Sequence, residues 1–323
     1  MRKYIKSNLK NLVIPLSIAF VNLILLSLPA FSSLLPQDYL NAVVSIEVEM
    51  QKKVEMPDKK ISIQTYYQTV GTGFLIGYPL VEKDKDGNVL DYVFLVTNLH
   101  VLKGVINSNT KEVWLNFDHK SGFKRYPLSL INERNEAIWL VHPDGEKVDV
   151  AVIPIIATKL IADGAEYHWI REDIWAYPDN FKDKGIALGD DVFVLGYPLG
   201  YREDVVGAAK KYVVVKSGAI ARVDDDIVYN QKSFLIDSSV FPGNSGGPVI
   251  LKPHTDHITN SKSVDKAYLL GIATGYIPYE QPTYVMFSGE YVHAGTTFEN
   301  SGLTKVVPMN FVKDVIKAHI KGI

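Results

Sequence analysis

The chain has 323 residues, 47% of them hydrophobic, enough to fill one large core or two small ones. Its 34 basic and 36 acidic residues nearly cancel and no run of Lys and Arg stands out, which argues against nucleic acid as a partner. There is no cysteine, so disulfides, thiol chemistry and cysteine-based metal sites are excluded.

In chain order, the first element is a targeting segment over residues 1–32. Its charges are all basic (Arg2, Lys3, Lys6 and Lys10), and an apolar stretch follows from Leu12 to Ala30. The small residues of Ala30-Phe31-Ser32 then predict a secretory signal cleaved after about Ser32. An uncleaved membrane anchor is the alternative, weakened by Pro15 and Asn22. In both cases the basic flank stays inside and the rest is exported, to a periplasmic or extracellular location. Membrane contact is expected only through that segment, whose removal takes the formal charge from −2 to −6.

Short strands follow. Val44, Ile46, Val48 and Met50 alternate with Ser45, Glu47 and Glu49, the period of a half-buried strand. After a loop at Pro57-Asp58, strands are expected over Ile61 to Val70 and Phe74 to Ile76, with a turn at Asp84 to Gly87. Further runs lie at Tyr92 to Val96, Val113 to Phe117, Ala137 to Val141 and Val148 to Ile153. Ala157 to Asp191 lacks alternation and reads as a connection. Strands resume at Val192 to Tyr197, Tyr212 to Val215, Ile227 to Tyr229, Phe234 to Ile236, Val249 to Leu251, Tyr268 to Ile272 and Lys305 to Val307. A helix closes the chain, capped by Asn310 with Val312, Val315, Ile316 and Ile320 on one face. Repeated short strands predict an all-β sandwich or barrel.

The sharpest motif is Phe241-Pro242-Gly243-Asn244-Ser245-Gly246-Gly247-Pro248-Val249. Glycines beside a serine let the backbone approach a substrate closely and aim the N–H groups of Gly243 and Ser245 at one point, as an oxyanion requires. A glycine-rich turn with an incidental serine is the other reading. A serine nucleophile needs a base, and Thr97-Asn98-Leu99-His100-Val101 places a histidine at the end of an apolar strand. A histidine there can equally be a satisfied core residue. Asp149, within Val148 to Ile153, is an acidic side chain in an apolar strand whose burial calls for partners, unless it points outward at an edge.

With these residues in the order His100, Asp149, Ser245, the sequence resembles the chymotrypsin-like (trypsin-like) serine proteases, and most closely their bacterial HtrA-type branch. The likeness rests on TNLHV, VDVAVI, VFVLGYP, FPGNSGGPV, Asp237 and GLTKVVPMNFVKDVI, and runs from about residue 38 to 320. It implies an all-β fold of two six-stranded antiparallel barrels with a C-terminal helix. The boundaries would be 33–165 for the barrel with His100 and Asp149, 166–190 for the connection, 191–308 for the barrel with Ser245 and 309–323 for the helix. It further implies a serine endopeptidase acting on protein or peptide substrates without a cofactor. Ser245 would be the nucleophile, His100 the base and Asp149 its orienter, with Gly243 and Ser245 as the oxyanion hole. Ser239 would stand at the base of the primary pocket, and Thr274, Gly275 and Tyr276 would form its wall and pair with substrate. An uncharged Ser239 implies cleavage after non-basic residues.

Two departures from that pattern carry expectations. Asn244 stands where trypsin-type zymogens carry an aspartate that receives a new N-terminus, so activity is expected without such a cut. The residues after Ser245 leave no room for the PDZ domain usual in HtrA-type proteases. Two further readings are weighed against the protease. Gly243 to Gly247 also satisfies G-x-S-x-G of α/β-hydrolase esterases, but Gly247-Pro248 opposes the helix that motif needs. A protease fold can also persist as a catalytically silent binding protein. His254 and His257, in a polar loop, lack further ligands, so no metal site is expected. The segment from Tyr276 to Gly302, rich in aromatics and glycine, reads as an insertion beside the pocket, able to gate it.

Overall fold

In the computed structural model the two halves are built differently. The structure describes residues 35–57, 59–83, 89–120, 122–198, 202–205, 208–255 and 262–319. The leader, the turn at 84–87, Asp58, His257 and Ile320 therefore lie outside the described residues.

The first half is a nine-stranded sheet. Its main strands are β1 (Val43–Glu55), β2 (Ile61–Lys83), β3 (Val89–Thr97), β4 (Glu112–His119), β5 (Gly122–Ser129), β6 (Leu140–Val141) and β7 (Ala151–Pro154), in the order β5-β4-β1-β2-β3-β7-β6. Two-residue strands, β8 (Ala165–Glu166) and β9 (Ile170–Arg171), pair with β4 and β2. Among the described residues no hydrogen-bonded pair closes this path. The second half is a closed six-stranded barrel of β10 (Asp191–Gly196), β13 (Val214–Arg222), β14 (Phe234–Asp237), β15 (Pro248–Leu251), β16 (Leu269–Phe287) and β17 (Glu290–Pro308), with β11 (Arg202–Val205) and β12 (Ala208–Lys211) paired apart from it. This is the all-β, chymotrypsin-like architecture expected, with closure only in the second unit.

Each half has its own apolar core, and a third core joins them. Phe74, Ile76 and Phe94 of the first sheet meet Leu195, Ile250 and Ile272 of the barrel there, with Trp175 between them. Among the described residues four α-helices decorate the sheets: α1 (Gln37–Asn41), α2 (Leu99–Asn107), α3 (Ala157–Asp163) and α4 (Met309–His319). Helix α4 buries Val312, Val315 and Ile316 in that joint core, and starts one residue before the expected cap Asn310.

Several local expectations change. β1 is buried on both faces as far as Val48: Val44, Ile46 and Val48 enter the core of the first sheet, and Ser45 and Glu47 are buried on the opposite face. Glu47, expected in solvent, is fully buried. Its carboxylate accepts hydrogen bonds from Ser45 Oγ and Arg125 Nε, each 2.7 Å away. A buried carboxylate costs several kcal/mol unless paired in this way. The strand expected over Ile227 to Tyr229 is one helical turn, Asp226–Asn230, that buries only Val228, since three apolar residues carry no usable period. The strand expected over Ala137 to Val141 shrinks to β6. The segment from Tyr276 to Gly302 is the outer part of one long hairpin, β16 and β17 running on beyond the barrel. Ser288 (φ 52°) and Gly289 (φ 88°) form its turn, both left-handed as a two-residue hairpin of this twist requires.

Candidate active site

The first sheet supplies the base and its partner. The apolar strand β3 ends at Thr97, and the buried Asn98 opens α2, so His100 lies in the first turn of a helix. Leu99, Val101, Leu102 and Val105 are that helix's buried face, which leaves His100 exposed on the other side. Asp149 is not inside a strand. It lies in the irregular stretch two residues before β7 begins, next to the start of α2. The Asn98 amide donates to the Asp149 C=O at 2.8 Å. One carboxylate oxygen accepts the His100 backbone N–H at 2.9 Å, one of the donors a helix start leaves unpaired. The other oxygen is 2.6 Å from His100 Nδ1 and also accepts the Thr274 hydroxyl. Burial by itself pushes the Asp149 pKa up, but the hydrogen bonds from His100 and Thr274 outweigh it and hold the carboxyl below its ordinary value.

The second unit supplies the serine. Phe241-Pro242-Gly243-Asn244 forms a tight turn closed by Asn244 N–H to Phe241 C=O at 2.9 Å. Proline at the second position and Gly243 at the third, with φ 99°, are the requirements of a type II turn. Among the described residues neither the Gly243 nor the Ser245 N–H donates to a protein acceptor. The Ser245 hydroxyl donates to the Thr274 C=O at 3.3 Å and makes no hydrogen bond with His100. Both nevertheless line one cleft of about 420 Å³, walled by Val70, Val240, Phe241 and Tyr276.

Gly275 lines the cleft beside Tyr276, whereas Ser239 does not. The Ser239 C=O instead accepts from Lys216, whose ammonium also lies 4.4 Å from the centre of the Phe241 ring. Thr274 reaches both halves of the site through its hydroxyl and its carbonyl. The fully buried Thr72 does so too, and no local feature of the sequence marks either role. His254 is 3.4 Å from Asp190.

A two-sheet β protein in which a hydroxyl from one half and an imidazole from the other, backed by a carboxylate, line one cleft has the architecture of the chymotrypsin-like hydrolases. A model of the trypsin-like peptidase domain matches residues 71–253, more than half of the chain, and the protein belongs to that family. Membership implies protein or peptide substrates. No curated protein matches the sequence. A solved structure titled "Atomic resolution structure of HBP" is similar over 88% of this chain and 95% of that one, at 11% identity and a TM-score of 0.39, a likeness too loose to bear on the site.

Proposed function

We propose that the protein is an exported serine endopeptidase. The observation that carries the reading is that His100, held by Asp149, lines the same cleft as Ser245 and as two amides, of Gly243 and Ser245, that have no protein acceptor among the described residues. On this reading the Ser245 hydroxyl rotates from the Thr274 carbonyl toward His100 when substrate fills the cleft, since catalytic hydrogen bonds often tighten only with substrate bound. Ser245 Oγ attacks the scissile carbonyl carbon and its proton passes to His100 Nε2. The amides of Gly243 and Ser245 receive the oxyanion. The tetrahedral intermediate collapses as His100 protonates the leaving amine, and water repeats the sequence on the acyl-enzyme. Asp149 keeps the imidazole proton on Nδ1 and balances its transient charge.

Export rests on the basic-then-apolar leader over residues 1–32, and predicts a mature N-terminus near residue 33. Cleavage after non-basic residues rests on a cleft walled by apolar side chains and Tyr276, with no acidic residue among its walls to pair with Arg or Lys. A peptide library should show it, and dominant cleavage after Arg or Lys would refute it.

The reading is tested by fluorophosphonate labelling of the mature protein beside Ser245→Ala. Stoichiometric labelling of the wild type and none of the variant is expected. If neither labels, the chain is a catalytically silent member of its family.

A further inference from the structure

We infer that Thr72, on β2 of the first sheet, is the positioning residue that holds the oxyanion loop of the second unit in its working shape. The inference rests on the endopeptidase reading and adds a residue to it.

The amides of Gly243 and Ser245, which have no protein acceptor among the described residues, alternate with peptide groups that are bonded at both ends. The peptide between Gly243 and Asn244 gives its N–H to Phe241 at 2.9 Å, and its C=O accepts the Thr72 hydroxyl at 2.6 Å. The peptide between Ser245 and Gly246 gives its N–H to the Ala273 C=O at 2.9 Å, and its C=O accepts the Thr72 N–H at 2.8 Å. Between them, the Asn244 C=O accepts from Gly247 at 2.9 Å. A peptide unit is planar, so fixing its neighbours on both sides fixes where the Ser245 N–H points, and fixing the peptide that follows restrains the Gly243 N–H. Thr72 supplies two of these five bonds, and supplies them from the opposite sheet.

Thr72 is itself held rigidly. It is fully buried, its Oγ1 accepts the Tyr197 N–H at 3.0 Å, and its C=O accepts the Thr97 hydroxyl at 2.7 Å. Thr97 ends the strand that leads into His100, so one residue ties the base-bearing segment to the serine loop. The fit leaves no slack. A Cβ on Gly196 would lie 2.9 Å from the Thr72 hydroxyl, and one on Gly246 would lie 2.0 Å from its carbonyl oxygen. A hydroxyl on a β-branched carbon serves here because its rotamer is stiff while its oxygen both donates and accepts.

The test compares Thr72→Val, which keeps the shape and loses the hydroxyl, with Thr72→Ser, which keeps the hydroxyl. Arg125→Met, three strands across the first sheet from Thr72, serves as a control that destabilises that sheet without removing a bond to the loop. Each is assayed with a peptide substrate and by thermal melting. In Thr72→Val, kcat is expected to fall about 10²-fold with KM within about threefold of wild type, the size seen when one oxyanion donor is lost. Thr72→Ser should recover kcat to within about threefold, and Arg125→Met should lower the melting temperature without lowering kcat. The inference is overturned if Thr72→Val keeps wild-type kcat, if Thr72→Ser is as impaired as Thr72→Val, or if Arg125→Met loses kcat in step with its melting temperature. Should Thr72→Val show no thermal transition, Thr72→Cys, with its weaker donor, carries the same comparison. If the wild type neither cleaves nor labels, the endopeptidase reading fails and takes this inference with it.

Discussion

Asp149→Asn is expected to lower kcat about 10⁴-fold between pH 6 and 8 while leaving the fold intact, the loss a triad suffers when its base is held in the wrong tautomer. The geometry explains why a near-isosteric change has so large an effect. Asp149 uses one oxygen for the backbone N–H of His100 and the other for Nδ1 of the ring. An asparagine has only one oxygen. If it stays on the backbone N–H, the amide NH₂ faces Nδ1, which must then accept a hydrogen bond and carry no proton. The proton moves to Nε2, the nitrogen that in the proposed mechanism receives the one from Ser245. The carboxyl's pKa lies below the ordinary value, so Asp149 is ionised throughout the tested range. The same depression makes a stability contribution that is complete above the ordinary carboxylate pKa and is lost as pH falls through the lower folded value. Peptide hydrolysis by purified Asp149→Asn decides the matter, and a loss smaller than about tenfold would remove Asp149 from the proposed mechanism.

The second large effect is expected at Gly246. Its φ is +89°, and a Cβ there would sit 2.0 Å from the Thr72 carbonyl oxygen and 2.3 Å from the Thr97 hydroxyl. Both contacts are with fully buried residues, so relief requires the serine loop to move away from the first sheet. Gly246→Ala therefore combines backbone strain with overpacking, a cost on the order of 3 kcal/mol or more. That corresponds to a fall of roughly 10 °C in melting temperature for a unit this size. Fluorophosphonate labelling should be lost with it, because the displaced loop carries both amides of the proposed oxyanion hole. Gly104→Ala is the matched comparison. Gly104 lies within α2 with open space around it, and alanine there should be neutral or slightly stabilising. If Gly246→Ala melts within about 2 °C of wild type, the close approach of loop and sheet is not a constraint in solution.

Most of the β class and its two-half organisation was legible in the residues, because strand periodicity and turn chemistry act locally. Phe241-Pro242-Gly243-Asn244 is the clearest case: the glycine-rich stretch reads as a turn, and the structure makes it a type II turn with Pro242 and Gly243 at its centre. Short apolar stretches were less legible. Leu99 to Ile106 could continue the preceding strand or start a helix, and burial of Leu99, Leu102 and Val105 against the first sheet chose the helix. Met50, Tyr276 and their neighbours do not reveal in sequence how far a hairpin will project beyond its barrel, since that depends on where partner strands stop.

By itself the sequence determined the β architecture, the family and the three residue types on which the proposed chemistry rests. The tertiary structure decided their geometry. Only folding sets Asp149 against the start of α2, points the Thr274 hydroxyl at a carboxylate 125 residues away, and seats Thr72 under a loop 171 residues further on. Such contacts leave no periodicity or turn signal in the chain. They arise because buried polar groups must find partners wherever two sheets bring them together, and distance along the sequence does not enter that requirement.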